Sequence, residues 1–174
     1  MRRVSATPPP RRGSASGLNR AERRRYTAGT MDLEFLMVPG APPPPPTAPY
    51  SHAVRAGEFL LVTGQIPADP RTGDRLVPGG IVEQTHQVMR NLETVLRGAG
   101  TSLDRAVFAR VYLVNFADYP AMNAVYASYF APGRLPARTC VGVTGLALGA
   151  LVEIDLVVRP DSRPAADAPP GHPR

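Results

Sequence analysis

The chain has 174 residues, 43% of them hydrophobic, with no Trp, a single Cys and a formal charge of +6. Such a length suits one domain, and no apolar run approaches the roughly 20 residues of a membrane-spanning helix. Cys140, being alone, excludes an internal disulfide and a CxxC-type metal site, which fits a reducing cytoplasm, and we expect no metal and a cytoplasmic location.

Residues 1–30 are rich in Arg, Pro, Ser and Gly, with no apolar centre for a signal peptide, and are expected to be disordered. They hold eight Arg against one acid, Glu22, a charge of +7 that leaves −1 for the remaining chain. The basicity therefore belongs to a tail, and the rest lacks the electrostatic footprint of a nucleic-acid binder. All 20 basic residues are Arg, which we read as codon bias. The tail is a translated upstream stretch with Met31 as the working start, a basic arm for acidic partners, or a transit peptide, in that order of preference.

Residues 31–160 carry the periodic patterns. Residues 32–38 alternate as a strand, and Pro42–Pro46 then form a rigid polyproline connector. Residues 58–66 are apolar and β-rich, and the following DPRTGD is a turn with Gly73 at a positive φ. Ile81, Val88, Leu92, Val95, Leu96 and Ala99 fall on one helical stripe, stopped by Gly98 and Gly100. Residues 106–114 read as a strand. Residues 118–130 read as a shorter helix, with Asp118 as N-cap and Met122, Val125 and Tyr129 on one face. Residues 138–143 and 150–158 are the last strands, and 161–174 form a flexible tail. The order is ββαβαββ, an α/β (α+β) domain with two helices on one face of a mixed sheet. Its open face keeps large aliphatic residues and should drive association into a closed ring.

No GxSxG, HExxH, P-loop or GxGxxG occurs. His52, His86 and His172 are scattered, and His86 on a helix is better read as structural than catalytic. Three segments near strand ends stand out: TAPYSH around Tyr50, VTGQIP around Thr63, and LPARTCV around Arg138 and Cys140.

The strings PYSHAVRAGEFLLVTGQIPADPRTGD, GGIVEQTHQVMRNLETVLRGAG, PARTCVGV and ALVEID together resemble the Rid family of enamine/imine deaminases. That family is also labelled YjgF-type or L-PSP endoribonucleases, and the likeness runs from about residue 31 to 158. The resemblance implies a chorismate-mutase-like fold, a homotrimer with sites at subunit interfaces, no cofactor, and a small imino or enamine acid as substrate. It makes Arg138 the group that grips a substrate carboxylate, for which a planar fork is suited. Tyr50 would then wall the cleft, Thr63 and Asn123 would bind substrate, Cys140 would line the site, and Glu153 would position the attacking water. On spacing alone Cys140 shares a strand face with Arg138, and Glu153 shares one with Asp155, so a buried thiol and an interface ion pair are the plain alternatives. His52 stands where many relatives have Gln, which would alter the cleft mouth, and Gly142 where many have Glu. The implied reaction is hydrolysis of 2-aminoacrylate-like enamines, as 2-imino acids, to 2-keto acids and ammonia. The rivals are a regulatory trimer that binds keto or amino acids without turnover, and an RNA-directed ribonuclease or translation-inhibitor role suggested by the ribonuclease label and the basic tail.

Overall fold

In the computed structural model the described residues are the backbone of 23–26 and all of 33–161. In chain order they form β1 (Arg23–Tyr26), β2 (Leu33–Leu36), β3 (Ala53–Ala56), β4 (Phe59–Gln65), α1 (Ile81–Gly98), β5 (Ala106–Leu113), α2 (Tyr119–Ala127), β6 (Ala137–Gly142) and β7 (Val152–Val158). The strands make one mixed sheet in the order β1-β2-β3-β4-β7-β5-β6, in which only β5 and β6 run parallel. This is the α+β arrangement the sequence predicts, with two strands more. β3 is only four residues of mixed character (AVRA), so alternation does not reveal it. It becomes a strand because Gly57, at φ 57, closes a tight hairpin that pairs Ala56 with Phe59. β1 falls in the stretch expected to be disordered, and its backbone pairs with the otherwise free edge of β2. The rest of residues 1–30, and residues 162–174, lie outside the described residues.

α1 carries the core. Val88, Met89, Leu92, Val95 and Leu96 are fully buried against Leu60 and Val62 of β4 and Val152, Ile154 and Leu156 of β7. Each such side chain stabilises by roughly 1.5–3 kcal/mol before entropy costs. The helix starts where Glu83 accepts a hydrogen bond from the Gly80 N–H at 2.8 Å, an acid in the first turn. Its end differs from the sequence reading in one respect. Gly100, at φ 77, is the stop, whereas Gly98 is the last helical residue, and its missing Cβ makes room for Val38. Asp118 precedes α2 but caps nothing; Asn115 instead accepts from Ala117 N at 3.1 Å and shapes a short 3-10 turn at Phe116–Asp118.

The polar residues of α1 hold the loops that frame the site. Asn91 Nδ2 donates to the carbonyls of Ile66 and Ala68 at 3.1 and 3.0 Å, and Gln84 Oε1 accepts from Leu151 N at 2.9 Å. At the other end of the same loops sits His52. It does not lie at a cleft mouth, as its position in the TAPYSH segment suggests, but is 2% exposed. Its Nδ1 accepts from Val38 N at 2.8 Å, so the proton is on Nε2, which donates to the Pro42 carbonyl at 2.9 Å. Neutral imidazole thus supplies one acceptor and one donor, as the amide of Gln does, and ties β2 to the polyproline connector.

Burial holds the His52 pKa below its ordinary value, and the Pro42 carbonyl only partly opposes this. A depressed folded-state pKa means that the unfolded chain binds the proton more readily. His52 therefore contributes stability in full above about pH 6.5 that is lost as the pH falls through the folded value. His52→Gln keeps both hydrogen bonds without titrating. Between pH 7.5 and 5 its Tm is expected to fall less than that of the parent, by about 4 °C, in thermal melts at matched ionic strength.

Candidate active site

β4 and β7 pair with a register shift, since Val62 faces Leu156 and Gln65 faces Ile154. Three steps on β4 against two on β7 leave an extra residue at Thr63–Gly64, a β-bulge of the kind that re-aims side chains beside sites. The TGQ segment is therefore a bulge inside a strand. Beside it lies a cleft of about 340 Å³, walled by Tyr50, Thr63, Pro45, Leu148 and Glu153. Leu148 holds a left-handed backbone (φ 57, ψ 12) on the cleft lip, a conformation that costs a non-glycine residue about 1 kcal/mol or more.

Glu153 and Asp155 share the open face of β7, and their surroundings separate them. Asp155 takes Arg110 Nε on both oxygens, at 2.9 and 3.0 Å, and the Tyr112 hydroxyl at 3.1 Å. Glu153 has no hydrogen-bond or ion-pair partner among the described residues. Burial raises its pKa first, and the neighbouring Asp155 charge adds to the rise. The Tyr50 phenol is pushed up too, by burial and then by the charge of Glu153. The ion-pair role open to either carboxylate thus falls to Asp155. Gly64 is what admits Glu153, because a Cβ there would coincide with its carboxylate.

A second cluster surrounds Arg138. β6 pairs Arg138 with Ala109 and Cys140 with Val111, both buried under the helices, so Arg138 and Cys140 share the helix-covered face. Arg138 Nη2 donates to the Tyr119 hydroxyl at 2.9 Å and to Asn123 Oδ1 at 2.7 Å. Its guanidinium carbon lies 4.7 Å from the Tyr126 ring centroid and 5.6 Å from that of Tyr119. No described carboxylate lies within ion-pair reach of it. The Cys140 thiol is pushed up by burial, and Arg138 opposes this.

The six residues predicted for one site therefore fall into two groups. Tyr50, Thr63 and Glu153 meet at the cleft; Asn123, Arg138 and Cys140 meet under α2. Glu153 is opposite Tyr112, on the open face, and β5 separates β7 from β6. Two strand spacings, about 10 Å, and the sheet itself stand between the two groups within one chain. Sequence reasoning missed Tyr119 and Tyr126. With Asn123 they fall at steps of four and three, one helical face, but the stripe through Met122, Val125 and Tyr129 drew the attention. Among the described residues no group of three or more His, Cys, Asp or Glu comes together as metal ligands do.

The profile of the family described as endoribonuclease L-PSP matches residues 41–159. A RutC family protein of Pyrococcus horikoshii is 45% identical over 114 residues, 66% of this chain and 89% of the relative. A mouse protein named 2-iminobutanoate/2-iminopropanoate deaminase is 38% identical over 114 residues, 66% of this chain and 83% of that one. Among solved structures, a Rid family protein of Yersinia pestis superposes with a TM-score of 0.68 at 37% identity, covering 73% of this chain and 98% of that chain. The chain belongs to the endoribonuclease L-PSP family, the Rid/RutC proteins.

Gly64→Ala should expel the Glu153 carboxylate from its seat, since the end of a flexible side chain is what the new methyl meets. The Glu153 pKa, followed by NMR titration, is expected to drop toward the ordinary glutamate value of about 4.3. Tm should change by less than about 4 °C. An unchanged titration would mean that the carboxylate does not sit there.

Proposed function

We propose that the protein hydrolyses 2-imino acids, the tautomers of 2-aminoacrylate-like enamines, to 2-keto acids and ammonia. We further propose that each site joins two copies of the chain, most economically in a closed homotrimer. The observation that carries this is the pairing of an unneutralised Arg138 with an unpartnered, half-buried Glu153 on opposite faces of one sheet. Each lacks what the other offers. A carboxylate ligand would satisfy Arg138, and the exposed Phe35, Phe59, Leu61 and Val141 give the open face an apolar surface for a neighbour. The name of the mouse relative supports the reaction class.

In this reading Arg138 of one copy fixes the substrate carboxylate, and Glu153 of the next faces the imine carbon. Glu153 takes a proton from water as the water oxygen bonds to that carbon and the C=N electron pair moves onto nitrogen. The proton then passes from Glu153 to nitrogen; as the C–N bond breaks, its electron pair leaves with ammonia, the hydroxyl proton goes to the Glu153 carboxylate, and the O–H electron pair forms the carbonyl. A protonated imine is already electrophilic, so positioning and one base of raised pKa suffice. No redox step is involved.

Arg138→Ala is expected to slow ammonia release from imino acids, generated by an amino acid oxidase, by about 10² or more. Glu153→Gln should cost roughly 10²–10⁴ and abolish the acid limb of kcat/KM. In the parent that limb should lie above the ordinary glutamate range, because Glu153 acts as a carboxylate and loses the role as pH falls through its raised pKa. Parent-like rates in Arg138→Ala would overturn the assignment. Saturable 2-oxobutanoate binding with no hydrolysis by the parent would replace catalysis with ligand binding.

A further inference from the structure

Arg138 has five N–H donors, one on Nε and two on each terminal nitrogen. A guanidinium meets a carboxylate in two-point fashion along either of two edges, Nε with Nη2 or Nη1 with Nη2. Nη2 belongs to both. Here its two hydrogens are already committed, one each to the Tyr119 hydroxyl and Asn123 Oδ1. A fork-on-fork clamp would therefore have to break a bond the free protein makes. The Tyr119 hydroxyl, by contrast, only accepts in this arrangement, and its own proton is uncommitted among the described residues.

We propose that Tyr119 is a direct binding residue, and that the ligand carboxylate is held by a mixed pair: one free N–H of Arg138 and the O–H of Tyr119. The phenol keeps its bond from Nη2 and turns its proton to the carboxylate, a charge-assisted O–H···O⁻ contact. Nothing in the free protein is broken. The ring is held for this task from its far side. Phe116 stacks on Tyr119 with centroids 5.4 Å apart and planes 21° apart. Gly142 lies beside Phe116, where an added Cβ would be in ordinary contact with the ring at 3.8 Å. Asn123 Oδ1 and the Tyr126 ring help to fix the guanidinium, while the Tyr119 phenol accepts from Nη2 and keeps its own proton to donate.

This inference rests on the reading that Arg138 takes a carboxylate, and binding separates it from turnover. The probe is 2-oxobutanoate, titrated calorimetrically into the full-length parent and into Tyr119→Phe, with imine hydrolysis measured in parallel. Tyr119→Phe keeps the ring and its stacking, and is expected to raise Kd and KM about tenfold or more with little change in kcat. Phe116→Ala, which frees the ring but keeps the hydroxyl, should give a smaller rise. Unchanged binding by Tyr119→Phe overturns the proposal, and so does tighter binding, which would make the phenol a plug in the seat. If the parent hydrolyses imines and Tyr119→Phe keeps its KM, Tyr119 is lost and the activity stands. If Tyr119→Phe weakens binding while neither protein releases ammonia, the mixed seat stands and the hydrolase reading falls.

Discussion

The candidate site turns on a guanidinium that has no counter-ion among the described residues. Arg138 is half-buried between β6 and α2, and its neighbours are a phenol, an amide and the face of an aromatic ring. Hydrogen bonds to a charged group and a desolvated cation–π contact each contribute on the order of 1–3 kcal/mol. Together they make the site tolerable without discharging the cation. An acid in place of Asn123 would make the arrangement more comfortable and leave nothing to attract an anion. The parallel pairing of β5 and β6 is what sets this up. A parallel pair requires a crossover, α2 is that crossover, and it necessarily lies over the face to which Arg138 and Cys140 point.

The opposite half of the site depends on α1 in a different way. Its apolar stripe builds the core, yet the positions between, Gln84 and Asn91, decide where the 66–68 loop and the start of β7 lie. Buried amides of this kind are costly unless fully paired, and here they are paired with backbone carbonyls and an N–H that would otherwise be orphaned. His52 closes the same frame from below, linking the polyproline connector to β2 and, through its carbonyl, to Thr63 N at the bulge. The cleft is thus a product of polar bookkeeping in loops, mounted on an apolar sheet.

Such division explains what the sequence made legible. The stripe of α1, the four longer strands and the Gly73 turn were readable because periodicity and turn chemistry are local. β3 was not, since four mixed residues become a strand only through a neighbour. The bulge at Thr63–Gly64 was invisible for the same reason: it is a mismatch between two strands, not a property of either. The candidate residues themselves were legible through their resemblance to a family, yet their division between two faces was hidden. Odd and even positions reveal faces within a strand, but relating β6 to β7 required knowing that β5 lies between them. His52 shows the converse limit. Its chemistry was plain, but its burial, which decides that it is a structural acceptor and donor, depends on a contact 14 residues away.

The contrast between Glu153 and Asp155 carries the functional argument furthest. They are the same type of group, two residues apart on one strand face, and any sequence pattern treats them alike. Arg110 and Tyr112 on β5 both donate hydrogen bonds to Asp155. The Asp155 charge then adds to burial in lifting the Glu153 pKa. A structural ion pair is thereby also an electrostatic device, because the Asp155 charge discourages a second negative charge on Glu153. One carboxylate is held in an ion pair and its neighbour has a raised pKa, the kind of division that sets acids apart at catalytic centres. Desolvation and a neighbouring anion together raise the basicity of this carboxylate. The same field bears on the two-faced geometry. An Arg138 on the same face as these acids would be drawn into their pairing and spent there. Its place behind the sheet keeps Arg138 apart from that ion pair, as the proposed two-copy site requires.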